Sequence, residues 1–320
     1  MFENLMEPAV LCFLAGILAG LLRSDLRFPP ALYETMSVYL LLAIGFKGGT
    51  QLAKTSLATL ILPIACAIAL GLLIPMVAFA ILRFLGRLDR PDAAAIAAHY
   101  GSVSAVTFAV VLGYLSRLSI PHEDYVAVLL AVMEIPAIAL GVVLARSGQA
   151  LRQINWKQLL HEVFLGRSVY LLVMGMLIGW IAGPQKMEFI NPLFVDLFKG
   201  VLTLFLLEMG LTASQRLADL RKVGVFLVIF GIGMPILSAC LGTLIGYASG
   251  MSIGGMVVLT TLAASASYIA APAAMRVAVP EANPTLYLTA ALGITFPFNI
   301  SIGIPLYHWM VERAVALLSR

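Results

Sequence analysis

His99-Tyr100-Gly101-Ser102-Val103-Ser104-Ala105-Val106-Thr107 and Ala263-Ala264-Ser265-Ala266-Ser267-Tyr268-Ile269-Ala270-Ala271-Pro272 each lie in the middle of a long apolar run. A helix that carries Pro272 loses one backbone hydrogen bond. Hydrocarbon cannot replace it, so the freed groups must face protein, water or a ligand. In the first stretch Gly101 has no Cβ to resist unwinding, and Ser102, Ser104 and Thr107 bring hydroxyls that both donate and accept. Small residues at such positions also let helices pack closely. Two broken helices that meet, or two close-packed ones, are the readings these stretches allow.

The surroundings of both stretches are apolar. Of 320 residues, 61% are hydrophobic and only 11% charged, with a mean hydropathy of +1.01. Soluble domains carry about a quarter charged residues, so lipid is the expected solvent, and the fold class is an all-α polytopic membrane protein. The same figures exclude a disordered chain. The net charge of +4 reads as cytoplasmic loops rather than as a nucleic-acid surface. Cys12, Cys66 and Cys240 are far apart in apolar runs and read as buried thiols. The opening Met-Phe-Glu-Asn lacks the basic start of a cleavable leader, so the first apolar segment is expected to stay as a helix.

A crossing takes roughly 20 apolar residues, and about ten fit. They run near residues 7–22, 31–53, 57–84, 93–115 and 125–145, then 168–182, 189–211, 224–249, 254–275 and 285–310. Ten crossings put both termini on one side. The loops opposite the termini hold 13 Lys and Arg against 6 on the terminal side, which makes the termini extracytoplasmic and the polar stretch around 146–167 cytoplasmic. The domains expected are therefore a five-helix unit over residues 1–150, a connection over 151–166 and a second unit over 167–320. Matched pairs suggest that the units are related. Ala43-Ile44-Gly45 answers Glu208-Met209-Gly210, Gln51-Leu52-Ala53 answers Arg216-Leu217-Ala218, Gly101-Ser102-Val103-Ser104 answers Ala264-Ser265-Ala266-Ser267, and Pro136 answers Pro297. An odd number of crossings per unit gives the halves opposite orientations. A 5+5 inverted repeat, with broken crossing helices in spans four and nine, is the architecture of secondary transporters.

At such a crossing, free N–H groups of half-helices attract a small anion. Gly101, Ser102, Ser104, Ser265 and Ser267 are the residues expected to bind it. Carbonyl and hydroxyl oxygens can coordinate a hard cation such as Na+. Ser104, Thr107, Glu134, Tyr268 and Thr295 are the candidates there. Glu134 stands in mid-span beside Pro136, where a charge costs roughly 2.5 to 3.5 kcal/mol, and reads as a cation ligand or a proton carrier. Asp196 and Lys199 read as a mutually neutralising pair. Lys47, Glu208, Arg276 and His308 fall near span ends and read as snorkelling. No His-rich, Asp-pair or Ser-Lys constellation at one depth suggests an enzyme, and no organic cofactor is expected.

Ile44-Gly45 with Gly48-Gly49, Gly101-Ser102-Val103-Ser104, Met133-Glu134-Ile135-Pro136-Ala137, Gly254-Gly255-Met256-Val257-Val258-Leu259, and the run from Ala263 through Ser267, Pro272, Arg276, Pro280, Ala282-Asn283-Pro284 and Tyr287 resemble the sodium-dependent bicarbonate transporters first described in cyanobacteria. The resemblance covers nearly the whole chain. It implies a homotrimeric carrier in the plasma (inner) membrane that takes up bicarbonate with Na+ at the crossing of spans four and nine, and in some members a PII-type regulatory partner. Ala266 and Tyr268 stand where the family pattern has serine and aspartate, and Glu134 where it has aspartate. Coupling to H+, or another small anion as cargo, is the alternative reading, and a passive anion channel is the third.

The charge asymmetry makes a testable statement about topology. Impermeant reagents added to intact cells should reach tags on both termini and leave a tag beside Gln153 unlabelled; the reverse labelling would contradict it.

Overall fold

The computed structural model describes residues 6–146, 156–217 and 219–318. Among them every regular element is helical: α1 (Pro8–Leu21), α2 (Pro30–Leu52), α3 (Leu57–Ala80, continued by a π-helical turn Ile81–Leu85), α4 (Arg90–Gly101), α5 (Ala105–Arg117), α6 (Val126–Arg146), α7 (Trp156–Leu165), α8 (Arg167–Met187), α9 (Phe198–Leu217), α10 (Leu220–Ala248), α11 (Ile253–Ala263), α12 (Ala270–Ala278) and α13 (Pro284–Leu318, with two π-helical turns). Among the described residues six helical runs are long and apolar enough to cross a bilayer, and α1 and α11 are shorter apolar helices. Prolines in the first turn open α1, α2, α4 and α13, where the missing N–H would have had no helical partner.

Both deciding stretches are broken. Between α4 and α5, Ser102 and Ser104 are extended (φ −81°, ψ 172° and φ −108°, ψ 112°). Between α11 and α12 the chain leaves the helix from Ala264 to Ile269. Span seven differs from its expected position. Its helix begins at Phe198 instead of near 189, because a short 3-10 turn (Glu188–Ile190) and a π-helical turn (Pro192–Asp196) take up the chain ahead of it. Asp196 is thereby outside the helix and Glu208 moves to its middle. Within the expected connection, Trp156–Leu165 is helical, and residues 147–155 lie outside the described ones.

The helices form two packed groups. In one, α1 lies on α9 and α2 on α8; in the other, α3, α4 and α6 pack together, as do α10, α11 and α13. Glycine makes the first group possible. A Cβ on Gly16 would stand 2.1 Å from the Leu207 carbonyl oxygen, and one on Gly210 2.1 Å from that of Phe13; on the other pair, a Cβ on Gly49 would stand 2.1 Å from the Met176 carbonyl oxygen, and Gly45 and Gly175 face each other across backbone. In lipid no hydrophobic force drives helices together, so such backbone contact supplies the packing. In the second group Gly101 lies against Pro75 and Ala137. Arg146 at the end of α6 reaches Glu281 at 2.6 Å, and Asp92 in the first turn of α4 accepts the Asn283 N–H at 2.7 Å, which ties the segment after α12 to the other half of the chain.

The contact at Gly49 and Gly210 is with backbone, which cannot step aside. Gly49→Val and Gly210→Val should each destabilise the detergent-solubilised protein by at least the ~1–3 kcal/mol of overpacking. Gly113→Ala, where an added Cβ meets nothing within 4 Å, should change stability little. Equal thermal midpoints for all three would refute glycine-dependent packing.

Candidate functional site

The two breaks lie against each other. The Ser267 N–H donates to the carbonyl oxygen of His99 at 2.8 Å, and the Ser104 N–H donates to Ser265 Oγ at 3.0 Å. Groups that each helix gave up are thus satisfied by the opposite break, as burial demands. A third element helps. In α13, Asn299 Nδ2 donates to the Ala264 carbonyl at 2.9 Å, and the Tyr307 hydroxyl donates to Asn299 Oδ1 at 2.6 Å. Sequence reading missed this clamp. Its signal was an amide in mid-span, two residues after Pro297.

The hydroxyls divide into those that hold the breaks and those with capacity to spare. Ser104 caps α5: its Oγ accepts from the Thr107 N–H at 3.1 Å and the Thr107 hydroxyl at 3.0 Å, and donates to the Tyr268 oxygen at 3.3 Å. Ser265 donates to the Leu262 carbonyl at 2.8 Å while accepting Ser104. Ser104 is fully used, and Ser265 has no donor left. Ser267 Oγ accepts the Ala271 N–H at 3.2 Å, which leaves its O–H available. Tyr268, accepting from Ser104, also keeps an O–H to offer. Ser102 Oγ is buried without a partner among the described residues.

Glu134 completes the set. It is 6% exposed, and a cavity of about 10 Å³ is lined by its side chain with Ser104, Ser168, Ser267 and Tyr268. That is at most the room of one water molecule. Two residues on, Pro136 has no N–H for the carbonyl of Val132. The cavity also touches Ala105 and Ile269, where α5 and α12 begin, so two positive helix ends and one carboxylate border the same space. Such a place offers N–H and O–H groups to an anion, and oxygens to a cation.

Other expected residues lie apart from this cavity. Gly101 provides close packing beside the break. Thr295 donates to the Gly231 carbonyl at 2.7 Å and so receives the Tyr100 hydroxyl, 2.6 Å away. Thr107 is tied to the crossing by its N–H and its hydroxyl, both donating to Ser104 Oγ. His99 is fully buried: Nδ1 donates to the Ala95 carbonyl at 2.6 Å, the ring stacks on Tyr287 at 4.5 Å, and Nε2 has no partner among the described residues.

Two larger cavities flank the crossing. One, of about 580 Å³, reaches Ser168, Tyr268 and Ile269 and is lined further out by Arg167, Arg216 and Arg276. The other, of about 240 Å³, is lined by Lys47, Lys199 and the Phe108 region of α5, and does not include the residues of the small cavity. Their linings correspond at an offset of 165. Tyr33, Ser37, Glu208, Met209, Thr212 and Arg216 border the first; Phe198, Leu202, Ala43, Ile44, Lys47 and Gln51 border the second.

A search of curated proteins found no match. A profile of the Na+-dependent bicarbonate transporter superfamily, however, matches residues 8–312, both breaks included. With nearly its whole length covered by that match, the chain belongs to the Na+-dependent bicarbonate transporter superfamily.

Proposed function

We propose that this protein is a secondary active transporter that takes up bicarbonate with Na+, and that the cargo binds where the α4–α5 and α11–α12 breaks meet. The observation that carries this reading is the convergence of the Ser267 and Tyr268 hydroxyls, two helix N-termini and Glu134 on one buried crossing, with the Ser102 hydroxyl, partnerless among the described residues, in the first of the two breaks. A monovalent planar anion with three oxygens suits several converging donors, and membership of the family supplies the identity of the anion and of the ion that accompanies it. Na+ has a clear energetic use. Moving one anion inward against 100 mV costs about 2.3 kcal/mol, and one accompanying Na+ cancels it.

Ten crossings in a 5+5 inverted repeat fit the same reading. Three observations support it: α1 lies on α9 while α2 lies on α8, the exchange that two inverted halves require; Pro75 and Pro235, 160 apart, lie inside α3 and α10; and the two flanking cavities have linings offset by 165. Under the charge rule the arginine-lined cavity faces the cytoplasm and both termini face outward. The conformation is then open inward, with the smaller cavity as the closed outer route, and the membrane is the plasma membrane.

Tyr268 favours a second reading of the coupling ion. A phenol gives a cation one neutral oxygen where a carboxylate would give full charge, and Ser104 is already saturated. Glu134 is then the sole formal charge at the small cavity, which suits weak Na+ affinity or a proton carried by Glu134.

Two substitutions test the site. Ser102→Ala removes an unpartnered hydroxyl and leaves a small apolar side chain, so membrane insertion should persist while bicarbonate affinity falls about tenfold or more, the worth of a hydrogen bond to a charged group. Wild-type uptake by this variant would leave only a packing role for Ser102. Tyr268→Asp should sharpen the dependence of uptake on Na+ concentration at fixed pH. Tight, saturable Na+ dependence in wild type, unchanged by Glu134→Gln, would defeat this account of the cation site.

A further inference from the structure

Glu208 is a half-buried acid, with one fully buried oxygen, that the crossing does not use. Near the end of an expected span it reads as a snorkelling group, but α9 runs over Phe198–Leu217 and sets it in mid-helix. There Oε1 accepts the Thr212 hydroxyl at 2.9 Å, and Oε2 is buried with no hydrogen-bond partner among the described residues. The side chain borders the 580 Å³ cavity with Tyr268 on its inner wall and Arg167, Arg216 and Arg276 further out. On its other side it borders a cavity of about 940 Å³ with Arg23 and Arg27. The residue 165 positions earlier, Ala43, has no such group, so the smaller cavity has no counterpart to this acid.

The ligand that fits Oε2 follows from what surrounds it. A hard cation needs several oxygens at close range; among the described residues Thr212 is the one group in hydrogen-bonding range of this carboxyl, and its hydroxyl is spent as a donor. A proton needs no further ligand, and it removes the cost of a buried charged oxygen without a donor. We propose that Glu208 is a proton-exchanging carboxyl, separate from Glu134, whose charge state sets how strongly the arginine-lined cavity holds an anion. When the proton leaves, the Oε2–H bond breaks, the electron pair stays on Oε2 and the proton passes to cavity water. The new negative charge then offsets one arginine and loosens the anion.

Other charges face this acid and have fixed places. From α2 come Tyr33 and Glu34, the latter 3.6 Å from Arg167. The segment after α1 brings Arg23, Asp25 and Arg27, while α1 itself carries no charged residue and one thiol, Cys12. On α9, Arg216 lies 3.9 Å from Asp219. The π-helical turn Thr289–Thr295 of α13 adds hydroxyls only. Asp196 and Arg117, with its partner Glu7, stand at the opposite end of α9. Glu208 is the carboxyl among them that has a buried, donor-less oxygen.

The inference rests on the reading that bicarbonate passes through this cavity, and two measurements keep the two ideas separate. In proteoliposomes, the half-saturating bicarbonate concentration at the cavity side is measured against pH on that side, with free bicarbonate and Na+ held fixed. In wild type, affinity should fall about tenfold as rising pH removes the proton, the effect of a unit charge at roughly 12 Å and an effective dielectric near 20. Glu208→Gln should hold the acid-side affinity at every pH, and Glu208→Asp should restore the dependence. A wild-type pH profile in Glu208→Gln, or a profile flattened by Glu134→Gln alone, overturns the proposal while leaving bicarbonate transport standing. Infrared titration of the purified protein needs no transport: a carboxylic-acid C=O band that titrates in wild type and is missing in Glu208→Gln supports the proposal even if bicarbonate proves not to be cargo. An identical band in both refutes it.

Discussion

Backbone groups released inside a membrane must find partners within the protein, and this single requirement explains why the two halves of the chain depend on each other. Each unsatisfied group in hydrocarbon costs several kcal/mol. The first break gives the His99 carbonyl to Ser267 and takes the Ser265 hydroxyl for Ser104. Neither half could hold its unwound segment alone. The carbonyl at Ala264 is met by Asn299, itself fixed by Tyr307. What is left after this mutual satisfaction is a short inventory of O–H groups and one carboxylate, and that inventory is the chemistry of the proposed site.

The same logic separates structural hydroxyls from functional ones. Ser104 and Ser265 are held in bonds that define the break, so their loss would alter the fold of the crossing before it altered recognition. Ser102, whose buried Oγ has no partner among the described residues, adds nothing to the fold that alanine would not. A protein keeps such a group where a guest completes its bonding. The glycine-packed pairs α1–α9 and α2–α8 form a different kind of surface, rigid through backbone contact, against which the body that holds the crossing is set.

Much of this was legible in the sequence because it depends on local chemistry. Gly101 with its serines, and Pro272, mark the breaks without any knowledge of neighbours, and the span limits follow hydropathy within a few residues for α2, α3 and α6. Span seven was misplaced because Phe189, Ile190, Leu193, Phe194 and Val195 are apolar enough to look like one continuous helix, whereas a 3-10 turn takes the first two and a π-helical turn opened by Pro192 takes the other three. That slip hid Glu208. Long-range partners were equally invisible: nothing at position 299 names Ala264, and the assignment of Thr295 to the cation site could not foresee that Gly231 and Tyr100 engage it. Ser104 and Ser267 looked alike as hydroxyls, and only the partners reveal which one has a donor left.

The central claim is that the crossing couples an anion to a cation, and it is tested most directly by accumulation. Purified protein in sealed liposomes is given radiolabelled bicarbonate at equal concentration inside and out, at equal pH, with an inward Na+ gradient or with Na+ equal on both sides. The account predicts transient accumulation above the external concentration with the gradient and only exchange without it. Equal traces under the two conditions, together with rapid flux down a bicarbonate gradient alone, would make the protein a passive anion pathway and contradict the coupled crossing.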